Sequence, residues 1–216
     1  MTYSRYRHLA IEGAKSAPTD TQLAAIETLL GTPLPASFRD FLNVANGGYL
    51  EYVVDVTMSS GKTEPLSFCG LFSADEGTFC DETLLGQIRS EREHAKIPRD
   101  VLPFARDGGG SIVYLDLSPK GSGRVVAFVK GLPKWTGLRT ESALIELAAS
   151  FDDYIAKLRV DRDAVIDHLK YDATNMSHID AIEEWLNIGM PQWREDAELE
   201  TILREARQRL MPSSRG

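Results

Sequence analysis

Residues 101–129, VLPFARDGGGSIVYLDLSPKGSGRVVAFV, constrain the fold more than any other stretch. Three runs rich in β-branched and aromatic residues are divided by two short glycine-rich turns, the pattern of an antiparallel meander. The first turn, Asp107-Gly108-Gly109-Gly110, also invites comparison with a phosphate cradle. A phosphate loop, however, needs its glycines between a strand and a helix N-terminus, whose open N–H groups meet the anion. Here Ser-Ile-Val-Tyr-Leu-Asp-Leu follows, alternating like a strand and carrying no Lys-Ser/Thr pair. The glycines are therefore assigned to turn chemistry, where positive φ costs glycine nothing.

Helical signals lie on both sides of the predicted sheet. Thr19 and Gln22 have capping-box spacing, and Leu23, Ile26, Leu29 and Leu30 recur at three and four residues before Gly31. Pro35 opens a second helix with Phe38, Phe41 and Leu42 on one face, and Asn46-Gly47-Gly48 reads as its stop. Residues 49–58 then alternate as a strand, with Tyr52, Val54 and Val56 inward and Asp55 outward, and 65–72 read as a second strand with a glycine irregularity. A helix is expected over 81–97 with Asp81 and Glu82 in its first turn. A short strand over 145–149 leads into a helix capped by Ser150, and beyond 160 all patterns are helical, with starts expected at Ser177 and Pro191. The order is helices, sheet, helices. It predicts an α+β fold: an antiparallel or mixed sheet flanked by helices, with an all-helical C-terminal extension. The expected organisation is an N-terminal segment over 1–17, an α+β domain over 18–160 and an acidic helical extension over 161–216.

Four ordered segments resemble the SMI1/KNR4 family, also called the SUKH superfamily: LPASFRDFLNVANGG (34–48), LPFARDGGGSIVYLDL (102–117), RVVAFVKG (124–131) and ASFDDYIAKL (149–158). The resemblance spans about 18–160 and implies an α+β fold with a role that is not catalytic. Bacterial members of that family are largely immunity proteins that bind and neutralise a polymorphic toxin delivered between cells, and fungal relatives act as interaction hubs in cell-wall signalling. An immunity protein is the reading adopted; a signalling adaptor is the alternative, and a small hydrolase the third choice.

Chemistry-bearing residues are sparse. Asp55, Asp107 and Asp116 are the carboxylates nearest strands, but they read as an outward position, a turn residue and a strand end. No Gly-x-Ser-x-Gly elbow, base motif or zinc spacing accompanies them, so no catalytic residue, metal or cofactor is expected. Cys69 and Cys80, without a CxxC, read as reduced thiols, and the first 15 residues hold no apolar signal core, so the predicted location is cytoplasmic. The charge says more. The chain carries 24 basic and 32 acidic side chains, a net of −8, and residues 161–216 hold 7 and 12 of these, a net of −5. An acidic chain without a basic stripe does not suit a nucleic-acid backbone but complements a basic protein, and no stretch approaches the roughly 20 apolar residues needed to cross a membrane. The expected partner is a cognate toxin acting in the cytosol, with a nuclease favoured. Asp75, Glu76, Asp81 and Glu82 are the expected charged contacts, with Trp135, in a Gly- and Pro-rich loop, as an aromatic anchor.

Overall fold

In the computed structural model, residues 6–58, 61–76, 82–137 and 139–211 are described. The chain forms two units, one over Ile11–Leu158, the other made of the described residues of 4–10 and 159–216. Residues 11–17, expected to belong to a separate N-terminal segment, thus run with the first unit.

The first unit begins with α1 (Asp20–Leu30), closed by a complete capping box between Thr19 and Gln22 and ended by Gly31 in the left-handed conformation. After α2 (Ala36–Leu42) come β1 (Gly48–Tyr49), β2 (Val53–Thr57), β3 (Thr63–Ser67), β4 (Gly70–Leu71) and α3 (Leu84–His94). The predicted meander follows as β5 (Val101–Arg106), β6 (Ile112–Asp116) and β7 (Arg124–Val129), then β8 (Ala143–Ala148) and α4 (Phe151–Lys157). Six strands pair in the order β1-β4-β5-β6-β7-β8, with β2 and β3 as a separate hairpin, and every ladder among the described residues is antiparallel. The class is α+β. Pro103 is tolerated inside β5 because two-residue β4 pairs only with Ala105 and Arg106, and a register shift falls between Pro103 and Ala105.

Four consecutive residues of β6, Val113 to Asp116, are buried, so both faces of this central strand are covered. Tyr114 donates its hydroxyl to Glu91 of α3 at 2.6 Å. Phe38 of α2, Phe104 of β5 and Phe151 and Tyr154 of α4 meet edge to face with ring centroids 5.1–5.7 Å apart. Those rings join helix layer to sheet.

Several local expectations need correction. Residues 65–72 are not one strand: β3 pairs with β2, while β4 belongs to the large sheet. Asn46-Gly47-Gly48 does not stop α2, which already ends at Leu42. Thr83 caps α3, so Glu82 precedes the helix instead of lying in its first turn, and Asp81 lies outside the described residues. Val53 is buried, although it shares a strand face with the exposed Asp55.

The second unit holds α5 (Arg162–Asp167), a π turn (His168–Asp172), α6 (Met176–Gly189), a 3-10 turn (Trp193–Glu195) and α7 (Ala197–Leu210). Asn175, not Ser177, caps α6, and Asp196 caps α7 well past Pro191. Leu169, Ile179, Leu186 and Leu199 are fully buried. Arg162 grips Asp196 at 2.5 Å and Glu198 at 2.6 Å, and Arg209 donates to the Leu169 and Lys170 carbonyls of the π turn.

Asp116 gives a pH prediction. Burial pushes its carboxyl up, but hydrogen bonds from Ser118 and the Arg124 guanidinium outweigh this, and the net shift is downward. A carboxylate depressed in the folded state adds stability above its unfolded pKa and loses it as pH falls toward its folded one. Urea midpoints should therefore fall between about pH 5 and pH 3, the range of ordinary carboxylates. Asp116→Asn should cost about 2 kcal/mol at pH 7, as for a charged hydrogen-bond acceptor, and flatten that acid slope. An unchanged slope in the variant would show that Asp116 is not the group that titrates.

Candidate functional site

The two glycine motifs converge at one end of the six-stranded sheet. Asn46 is buried; its Nδ2 donates to the Ser16 carbonyl at 2.7 Å, and its Oδ1 accepts from the Ala74 N–H at 2.7 Å. One side chain thus ties three segments together. Gly47 and Gly48 follow with φ of +72° and +92°, and Tyr49 exchanges two backbone hydrogen bonds with Glu12 at 2.8 and 2.9 Å. The second motif turns on Asp107, whose Oδ1 accepts from the N–H groups of Gly109 at 2.8 Å and Ser111 at 2.7 Å. Gly110 takes φ +91°, and the buried Ser111 hydroxyl accepts from the Lys130 N–H at 3.1 Å.

Between these motifs lies a cleft of about 610 Å³, bordered by Glu12, Lys15, Tyr49, Ser73, Glu82, Arg106 and Asp107. Its polar walls are closed on themselves. Lys15 pairs with Asp75 at 2.5 Å and donates to Ser73 at 3.3 Å, while Arg106 pairs with Glu82. A side-chain hydrogen bond with Cys69 and partial burial hold the Tyr49 phenol up to about 12. Tyr49 and Arg106 are about half exposed and Glu82 is mostly exposed.

Of the expected contact residues, Glu82 lines this cleft and Asp75 is held by Lys15, which lines it; Glu76 is exposed. Asp75 and Glu82 are not bare charges, as an acidic loop would suggest, because each already has a cation. Asp81 lies outside the described residues, as does Cys80. Trp135 sits on a 3-10 turn between β7 and β8, 85% exposed, and is not part of the cleft lining. Lys15, Tyr49 and Arg106 carried no sequence signal as site residues, since their partners are distant in the chain.

The carboxylates considered for catalysis do not converge. Asp107 and Asp116 stand at opposite ends of β6, and Asp55 is on the separate β2–β3 hairpin. Asp116 is consumed by Ser118 and Arg124, at 3.1 and 3.0 Å. Among the described residues no group of three potential metal ligands gathers. Asp107→Ala should cost about 1–2 kcal/mol through two lost turn hydrogen bonds. Asp107→Asn keeps the accepting oxygen and should lose clearly less. Equal losses in urea unfolding would show that the charge, not the acceptor, holds the turn.

The model of the SMI1 / KNR4 family (SUKH-1) matches residues 17–157, an interval that contains both glycine motifs and the aromatic cluster. No curated protein matches the chain.

Proposed function

Because this chain belongs to the SMI1/KNR4 family, we propose that it is a non-catalytic protein-binding module: an immunity protein that neutralises a cognate toxin in the cytosol. The observation that carries this reading is the cleft between the two glycine motifs. Its borders are half-exposed cation–carboxylate pairs on a rigid frame, with Lys15 56% and Glu82 72% exposed. Pairs of that kind contribute only about 0–1 kcal/mol each, so a partner's charges can replace one member at little cost. A basic partner would displace Lys15 and Arg106 and take Asp75 and Glu82.

Charge favours the same class of partner. At net −8 the chain repels nucleic acid and attracts a protein that must itself be basic to grip phosphates, which makes a nuclease the leading toxin type. Glu76 would be a further charged contact, and Trp135 a separate aromatic one. Among the described residues, no helix is long and apolar enough to cross a membrane.

The test begins with the neighbouring reading frame. If it encodes a large secreted protein with a toxin domain, co-expression should protect cells and the two purified proteins should form a stoichiometric complex. Protection without a complex, together with turnover by the purified protein, would replace the binding module with an enzyme.

A further inference from the structure

The cleft above is bordered by both signs of charge; a second cavity in the same unit is lined by cations. It measures about 570 Å³ and is formed by α1, α3 and the segment that follows α3. Arg89, Arg92 and Arg99 line it together with Ala25, Leu29 and Leu85, and among the described residues no carboxylate borders it. Three cations sharing one wall is an odd placement in a chain with 32 acidic and 24 basic side chains.

Part of the arrangement is structural. Arg92 Nη2 donates to the carbonyls of Leu29 at 3.0 Å and Arg99 at 2.6 Å, and Arg99 Nη2 donates to the Thr28 carbonyl at 3.4 Å. Carbonyls at a helix C-terminus favour cations, so one arginine there needs no further reason. Two do. Each guanidinium carries five N–H donors, and neither Arg92 nor Arg99 makes an ion pair with a described residue. The Arg92 Nε is buried without any acceptor. Burial and the neighbouring Arg99 charge both push the Arg92 guanidinium down. Like charges held together with unused donors are stabilised by an oxyanion, which guanidinium forks bind bidentately.

We propose that this cavity binds a small organic phosphate, its phosphate held by Arg92 and Arg99 and its apolar body resting on Ala25, Leu29 and Leu85. Arg89 adds a third positive charge to the wall. The volume falls within the roughly 300–1,000 Å³ typical of small-molecule sites. The apolar wall distinguishes the organic phosphate from bare phosphate, and the dianionic charge distinguishes it from a carboxylate. The site is independent of the toxin reading, so either can fail alone.

The experiment is calorimetric titration of the full chain with phenyl phosphate, inorganic phosphate and benzoate at fixed ionic strength. Phenyl phosphate should bind saturably, inorganic phosphate about tenfold more weakly for want of an apolar body, and benzoate more weakly still. Arg99→Gln should weaken phenyl phosphate at least about tenfold, the scale of one lost charged hydrogen bond. Its unliganded melting temperature should change little, because relief of the like-charge repulsion offsets the lost 3.4 Å bond to the Thr28 carbonyl. Arg92→Gln should abolish binding, but it also loses the 3.0 and 2.6 Å bonds to the Leu29 and Arg99 carbonyls, whereas Arg99→Gln gives up only the 3.4 Å bond to Thr28, so Arg99→Gln decides. Absent saturation with phenyl phosphate, or unchanged affinity in folded Arg99→Gln, overturns the proposal. Benzoate binding as tightly as phenyl phosphate does so too, and would make the cavity a dock for acidic side chains.

Discussion

Gly48→Ala is expected to destabilise the first unit by roughly 3 kcal/mol or more, enough to remove most of a small domain's margin. Two costs add at this position. Gly48 has φ +92°, a region that L side chains rarely adopt. A Cβ there would also lie on the Glu12 carbonyl oxygen and 2.8 Å from the Ala14 nitrogen. Both obstacles are backbone, and Glu12 is tied to Tyr49 by the two hydrogen bonds described above, so they cannot swing aside as a side chain would. Gly13 is the control: its φ is +63°, but nothing lies within 4 Å of an added Cβ. Gly13→Ala should therefore show conformational strain alone, about 1 kcal/mol. Urea unfolding of both variants separates the two effects. Similar losses would mean that the 12–14 segment yields and that the cleft has no rigid frame.

Phe151→Ala should cost about 3–5 kcal/mol, the range for a large aromatic removed from a packed core. Its ring is 2% exposed and meets Phe38 at 5.1 Å, Phe41 at 5.2 Å and Phe104 at 5.7 Å between centroids. Those partners come from α2 and β5, so truncation opens a cavity where three elements join. The edge-to-face geometry of these rings stabilises them beyond the area they bury, so its removal deepens the loss. Trp135→Ala removes a larger ring and should change stability by less than about 0.5 kcal/mol, because that ring is 85% exposed. Chemical denaturation of the pair distinguishes core from surface aromatics. A loss below about 1 kcal/mol for Phe151→Ala would show that the cluster repacks.

What the sequence made legible was local. The β5–β6–β7 meander follows from alternation and glycine turns within 29 residues, and α1 from a capping box that the structure closes on both sides. Helix starts misled where several residues could cap. Asn175 precedes Ser177, Thr83 follows Asp81, and Asp196 follows Pro191; propensity does not choose among such neighbours, whereas tertiary packing does. Asn46-Gly47-Gly48 departs from its expected helix-stop role for a different reason. Its side-chain partners are Ser16 and Ala74, about 30 residues away on either side, and a helix-stop reading uses only adjacent residues. The site shows the same limit. Asp75 and Glu82 were visible as an acidic run, but their cations, Lys15 and Arg106, lie 60 and 24 residues away. The charged cleft exists only after β1, β4 and β5 pair.

The central claim is that this chain works by binding a basic protein through the acidic border of its cleft. If the neighbouring reading frame encodes a toxin, its association with this chain should be timed at low and high salt, for wild type and for a variant carrying Asp75→Asn, Glu76→Gln, Asp81→Asn and Glu82→Gln. Exposed charges are screened beyond roughly 8 Å at physiological ionic strength. Wild-type association should therefore slow as salt rises, while the neutralised variant should associate more slowly, bind more weakly and lose the salt dependence. Equal association rates and equal affinity across the four conditions would contradict the claim.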